Sequence, residues 1–332
     1  MTRPFRIGLL RLSDSAPVMI AHNTGFFAQY GLETELVVSP SWANIADGLV
    51  WKTLDAAIMF APLAMMTSLG RRGHMSALKP LKTLSYGGNT VILRGNNPFT
   101  GLWPAGEEGR EVFEKWRATI GRRPKLSVVH MYSTHFLILK RFLLSIGVNM
   151  EHDVEIQVMP PPDIIQALIE GAVDGGCVGP PWGTEACLRG LAFLAGGSET
   201  VMPHHIEKQL VVPETVYGNQ HTCHALVRAL EDAMIPLHAP ENRRAIAHDL
   251  SRSLEKKGLN LPQEATFRTL SGDKIAEKTY YARSSGETEN VTWMLDDMLG
   301  LDWINKKEHD ALKAEWTIPV SGVPSTKVEV LK

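Results

Sequence analysis

Ser41–Pro62 reads SWANIADGLVWKTLDAAIMFAP, and Pro160–Pro181 reads PPPDIIQALIEGAVDGGCVGPP. Each opens at a helix entry and runs through apolar residues at helical spacing. Each then passes an aspartate into a small apolar run that ends at proline. Asp55 and Asp174 lie 119 positions apart, and the same offset pairs Pro62 with Pro181, Leu49 with Leu168, Ile45 with Ile164, Trp42 with Pro161, Ala16 with His135 and Ile7 with Leu126. Any two βαβαβ units share element lengths. A phase held from the first strand to the last proline without a gap points further, to a duplicated unit.

Outward from these stretches, strand and helix signals alternate. Arg6–Leu12, Glu33–Ser39 and Ala56–Ala61 read as strands, and Ala16–Tyr30 and Trp42–Thr53 as helices, with Ser41 as an N-cap. SYGGNTVILRGNNPF carries paired glycines and reads as a connection. The alternation then resumes with strands at Leu126–His130, Val154–Met159 and Gly176–Val178 and helices at Thr134–Ile146 and Pro162–Glu170. This pattern predicts an α/β fold of two similar βαβ-based lobes with a cleft between them. Thr222–Ile235 and Glu241–Lys257 read as charged amphipathic helices, and Trp293, Trp303 and Trp316 as packing for a C-terminal cap.

Composition narrows the function classes. With 332 residues, 44% of them apolar, the chain can bury the cores of two lobes. A net charge of -2 without a basic run gives no electrostatic footprint for nucleic acid or an anionic membrane. Cys177, Cys187 and Cys223 are an odd set without regular spacing, which argues against a disulfide framework and for buried thiols. No Cys or His pair has zinc spacing, so no metal and no cofactor is expected. His204 and His205 are adjacent and should point apart, and every histidine except His135 reads as a surface residue. MTRPFRIGLLRLSDSAP enters a strand almost at once, with no secretory leader or membrane span, so the expected location is cytoplasmic, or periplasmic if a leader has been removed.

In open α/β sheets ligands bind beyond the carboxyl ends of the strands, where helix N-termini offer unpaired N–H groups. The repeat nominates Ser13–Pro17 with Tyr132–His135, and Ser41–Asn44 with Pro160–Asp163. No nucleophile–base or carboxylate pair stands at motif spacing, so catalysis is not expected.

GFFAQYGLETELVVSPSWANIADGLVWKTLDAAIMFAPL (Gly25–Leu63) and MPPPDIIQALIEGAVDGGCVGPPW (Met159–Trp182) closely resemble the nitrate-binding family of NrtA, CmpA and NasS, from about Ile7 to about Glu241. The resemblance implies a type-2 periplasmic-binding-protein fold, with lobe one at 1–89 plus 205–332 and lobe two at 90–204. It also implies a site for a small planar anion. Trp42 matches the Trp of the family's SW. Asn89 stands where the family has Gln, one methylene shorter. His135 and Pro161 match a site His and a site Pro, and Lys208 matches the family Lys. Nitrate or nitrite only accepts hydrogen bonds. Lys208 would supply the cation, and Trp42, Asn89 and His135 the donors. The bicarbonate branch resembles the same family but has an acidic residue and a metal at the Lys position.

Two functions follow from the resemblance. One is a cytoplasmic nitrate/nitrite sensor of NasS type that holds a NasT-like RNA-binding antiterminator. The other is the binding subunit of an anion ABC importer, with a permease as partner. An enzyme of the thiamin-pyrimidine type is disfavoured, because that family's cysteine-rich iron motif is absent.

Overall fold

β1 (Phe5–Leu9), β2 (Thr34–Val38), β3 (Ala56–Met59), β4 (Leu78–Tyr86), β5 (Thr90–Arg94), β6 (Lys125–Val128), β7 (Glu155–Val158), β8 (Gly175–Val178), β9 (Ala192–Gly197), β10 (Ile206–Pro213) and β11 (Tyr280–Tyr281) form two sheets. The coordinates are a computed structural model that describes residues 3–282 and 291–316. One sheet has the order β11-β4-β10-β3-β1-β2 and the other β7-β6-β8-β5-β9. The expected two-lobed α/β fold is what the chain adopts, with helices covering the sheets.

The duplication reaches individual bonds. Ile7 pairs with Ala56 and Gly8 with Ala57; at an offset of 119, Leu126 pairs with Gly175 and Ser127 with Gly176. Asp55 accepts from Arg6 N at 2.8 Å, and Asp174 accepts from Lys125 N at 2.9 Å. Arg3 grips Asp55 at 2.6 and 2.8 Å, and Arg122 grips Asp174 at 2.6 and 3.1 Å. Each aspartate thus staples the start of its first strand to the start of its third. The turn before it is repeated too. Thr53 N and Leu54 N donate to Gly48 O, as Ala172 N and Val173 N do to Ala167 O. Lys52 (φ 57) and Gly171 (φ 68) share one left-handed position in it.

The ungapped alignment needs one correction. β1 sets Ile7 opposite Leu36, whereas β6 sets Leu126 opposite Ile156, one residue beyond the offset. The slip is confined to β7, an edge strand, where register is held by one neighbour only.

Two other expectations change. Ala16–Tyr30 is broken into helices Ala16–Asn23 and Phe26–Gln29, because Gly25 takes φ 81 between them. The stretch around the paired glycines is not a plain connection. It contains the end of β4 and all of β5, and Gly87 (φ 60) and Gly88 (φ 84) make the first crossing between sheets. A Cβ on Gly88 would stand 2.8 Å from Thr279 Oγ1, so the crossing is also too close for any other residue. The second crossing joins β9 to β10 beside the first. Asn89 N donates to Ser198 Oγ at 3.1 Å, Ser198 N to Asn89 O at 2.9 Å, and Gly87 N to His205 O at 3.0 Å.

The C-terminal part caps both lobes. The Gln220–His238 helix packs on the Ala16–Asn23 helix, while Arg141 binds Asp297 at 2.7 and 3.0 Å and covers the Trp293 ring at 5.2 Å. Trp303 lies against Tyr132 and Phe136, and Trp316 is fully buried, so all three cap tryptophans pack against protein.

Candidate functional site

β10 runs antiparallel between β4 and β3. Its register slips between Ile206, opposite Tyr86, and Lys208, opposite Ser85, which leaves Glu207 as the extra residue of a bulge. Adjacent residues on a regular strand face opposite ways, and a bulge relaxes that rule. Glu207 and Lys208 therefore meet. The Lys208 ammonium contacts Glu207 Oε1 and lies 3.8 Å from Asp14 Oδ2. It also stands over the rings of Trp42 and Phe60 at 5.2 and 5.5 Å. Those ring faces attract a cation that is removed from water.

Trp42 is the first residue of the Trp42–Val50 helix, whose N-cap Ser41 accepts from Asn44 N at 3.3 Å, as expected. Its ring packs on Phe60 at 4.5 Å, and its buried Nε1 has no hydrogen-bond partner. His135 enters from the other lobe, one residue inside the Thr134–Ser145 helix capped by Ser133. The His135 ring meets Phe60 edge-on at 6.0 Å, and its Nε2 lies 3.6 Å from Glu207 Oε1. Burial pushes His135 down to about 3, against the opposing pull of Glu207, so the ring is neutral at ordinary pH. Asn89, at the first crossing, donates Nδ2 to Glu207 Oε2 at 2.7 Å and leaves its buried Oδ1 unpartnered. Pro161 is buried just before the Asp163–Glu170 helix, but the bonds and ring contacts that join the other four do not involve it. Having no N–H, it can offer an anion no hydrogen-bond donor.

Four of the five expected residues thus converge, and the structure adds others. Glu207 is the hub. Besides Asn89 and Lys208 it accepts from Thr134 Oγ1 at 2.9 Å and meets His205 Nε2 at 2.9 Å. Burial raises its pKa, but Lys208 and His205 outweigh that and hold Glu207 well below the usual carboxylate range. Asp14, in the Ser13–Ser15 turn, accepts from Ser85 Oγ at 2.5 Å. Burial raises Asp14, with Lys208 pulling the other way. So a carboxylate pair does occupy the site, although no motif spacing marks it. Asp14 and Thr134 lie within stretches that the repeat nominated; Glu207 was hidden by strand alternation. The expectation of surface histidines fails at His205 and His309, which are buried, while His204 turns away onto Tyr280 at 4.8 Å.

The lobes are shut over these groups. Ser13 N donates to Pro180 O at 3.0 Å, Trp182 Nε1 to Arg11 O at 2.7 Å, and Thr134 to Glu207 across the same seam. Asp14, Trp42, Phe60, Asn89, Thr134, His135, Glu207 and Lys208 are all no more than 1% exposed. No group of three or more metal-ligating side chains that could hold an ion occurs among the described residues.

The model of the NMT1-like family matches residues 2–251. The chain belongs to the NMT1-like family. As an NMT1-like chain it is 26% identical over 245 residues to the nitrate/nitrite binding protein NrtA of Synechococcus elongatus, covering 71% of this chain and 55% of NrtA. It is 30% identical over 308 residues to the bicarbonate transport ATP-binding protein CmpC of Synechocystis sp., covering 88% of this chain and 45% of CmpC. The chain spans about half the length or less of the first of these curated relatives, as little as 34% for the nitrate import ATP-binding protein NrtC of Synechocystis. Among solved structures, the periplasmic nitrate-binding protein NrtA from Synechocystis PCC 6803 superposes with a TM-score of 0.81 at 20% identity, over 97% of this chain and 91% of that one. The NMT1-like chain therefore has the NrtA-type two-lobed fold, as the family resemblance implied.

Proposed function

We propose that the chain binds a small planar anion, nitrate or nitrite, between its lobes. The observation that carries this reading is the meeting of Trp42, Asn89, His135 and Lys208 from both lobes in one sealed place. Among the described residues Lys208 is the only lysine or arginine side chain in that cluster, and Trp42 Nε1 is a donor without a partner there. NrtA relatives carry nitrate and nitrite binding in their names, which supports the same ligand class. We read the chain as a binding protein and not as an enzyme.

Calorimetry with sodium nitrate tests the reading. Lys208→Ala should weaken binding by about 2–5 kcal/mol, the range for truncating one partner of a buried charge pair. Equal affinity in variant and parent would remove Lys208 from the site and the reading with it.

What the bound state is for divides two partners. In the sensor reading, closure on the anion releases a NasT-like antiterminator in the cytoplasm, and nitrate added to a co-purified complex should dissociate it. In the importer reading, a membrane permease receives the closed form. The transport names of the relatives favour the importer. No helix among the described residues is long and apolar enough to cross a membrane. A NasT-like complex indifferent to nitrate would defeat the sensor.

A further inference from the structure

Glu207 already occupies Asn89 and Lys208, two of the four donors that an anion would use. Its two oxygens take Asn89 Nδ2, Thr134 Oγ1, the Lys208 ammonium and His205 Nε2. A carboxylate so placed competes with nitrate for Lys208, the one lysine or arginine at hand among the described residues. Two like charges in a sealed site cannot both be held by one ammonium without a large cost. Something must neutralise Glu207 before Lys208 is free for a ligand.

The geometry of His205 supplies the means. Its Nδ1 lies 2.9 Å from Met202 O and its Nε2 2.9 Å from Glu207 Oε2. A backbone carbonyl and a carboxylate are both acceptors, and a neutral imidazole has one N–H. Both contacts are hydrogen bonds only when a proton beyond the neutral ring's own resides on the His205–Glu207 pair. Its Nδ1–H, bound to Met202 O, fixes the ring so that Nε2 faces Glu207.

We propose that the His205–Glu207 pair is a proton-loaded internal counter-charge, so that the anion binds between the lobes only together with a proton held on this pair. The inference rests on the anion-binding reading above. With the proton, the pair is neutral and Lys208 is left to the ligand. Without it, Glu207 claims Lys208 and the incoming anion meets a second negative charge. Nitrate itself carries no proton at ordinary pH, so the proton comes from solvent.

The groups facing the pair come from several elements. They are Asp14 in the Ser13–Ser15 turn, His135 in the Thr134–Ser145 helix, Cys177 on β8 and Lys208 on β10. Trp293 of the cap covers the His205 ring edge-on at 5.4 Å, bringing no charge. Burial holds His135 neutral and raises Cys177, so neither takes up or gives up the proton near neutral pH. Asp14 is the rival proton carrier, because burial raises it too.

Nitrate titrations of the full chain by calorimetry, between pH 5.5 and 8.5 and in buffers of differing ionisation enthalpy, decide the matter. The expected result is uptake approaching one proton per nitrate, with affinity falling about tenfold for each pH unit on the alkaline side, as linkage requires. Glu207→Gln should bind nitrate more tightly at high pH and lose the slope, while Asp14→Asn keeps it. A slope lost in Asp14→Asn and kept in Glu207→Gln would overturn the assignment. Nitrate bound by the parent with no pH dependence and no proton uptake would overturn the coupling and leave the anion reading intact. Nitrate bound by neither the parent nor Glu207→Gln at any pH would defeat the anion reading and this proposal with it. If Glu207→Gln does not fold, the parent's proton count and the Asp14→Asn slope still decide.

Discussion

Lys208 is an ammonium with none of its side chain open to solvent, held against Glu207, Asp14 and two aromatic faces. Removing its charge strands buried carboxylate. Lys208→Met keeps the length of the side chain and should cost about 3–5 kcal/mol of stability, the range for breaking a buried pair. Adding Glu207→Gln should recover much of that loss, because the uncompensated charge leaves too. Urea denaturation of the four proteins of this cycle measures it, and additive losses would show that the two residues do not act as a pair. Glu277 gives a pH prediction. Burial, with the Glu199 charge adding to it, outweighs the bond from Glu199 N at 3.2 Å and raises Glu277 to about 8. An unfolded glutamate ionises near 4.3, so between there and about 8 the folded state holds the extra proton and stability falls as pH rises. Glu277→Gln should therefore gain stability at pH 8 and flatten this part of the profile, the parent's slope being about 1.4 kcal/mol per pH unit at most. A variant with the parent's profile would show that Glu277 ionises normally. At this scale the sequence was legible wherever a residue starts a helix at the cleft, as Trp42 and His135 do. It was not legible at Glu207, because alternation along β10 sends it away from Lys208 unless one residue is known to be bulged.

Each lobe is tied at the same place by an aspartate that joins the first strand to the third and takes an arginine three residues upstream of that strand's bonded N–H. The copies differ in depth. Asp174 is fully buried and also receives Arg94 at 3.2 Å, whereas the Asp55 side chain is 19% exposed. Asp174→Ala should cost about 1–3 kcal/mol, since the part-buried Lys125 N–H loses its acceptor while the arginines, partly open to water, rehydrate. Asp55→Ala should cost less. The reverse order in thermal unfolding would show that the staple is not what makes Asp174 matter. The repeat that exposed these aspartates was readable because the amphipathic helix and the buried third strand carry strong patterns. β7 slipped by one residue unnoticed, since an edge strand has little apolar signal to fix its phase. β4 and β5 were missed because two glycines at the crossing look like a loop, and only the tertiary fold shows a strand entering and another leaving.

The proposed division of the chain at 1–89 plus 205–332 and 90–204 puts both interlobe crossings at its boundaries; residues 1–2, 283–290 and 317–332 lie outside the described part. The two crossings are bonded to each other at Asn89 and Ser198, so the lobes are joined there at one place. On the far side of the cleft the lobes meet through Ser13 N to Pro180 O and Trp182 Nε1 to Arg11 O, with the Arg11 guanidinium 5.5 Å over the Trp182 ring. These contacts join the two lobes and do not involve Trp42, Asn89, His135 or Lys208, so under the proposed closure on an anion they would act apart from ligand contacts. A ligand that touches both lobes binds the shut form, and its apparent affinity scales with the fraction of protein able to adopt it. Trp182→Phe keeps an aromatic ring, though a smaller one, and deletes the donor. A hydrogen bond of this kind contributes about 0.5–1.5 kcal/mol net, so nitrate affinity should fall roughly 2- to 13-fold in a protein that rests open. Small-angle scattering should show a larger radius of gyration for the free variant than for the free parent wherever the parent is partly shut, and equal radii once nitrate saturates both. Any partner that selects one form then feels the same shift, within the 1–3 kcal/mol typical of such couplings. A Trp182→Phe protein with the parent's nitrate affinity and an unchanged radius would mean that the seam bond does not bias closure, and that the energy for shutting comes from the ligand alone.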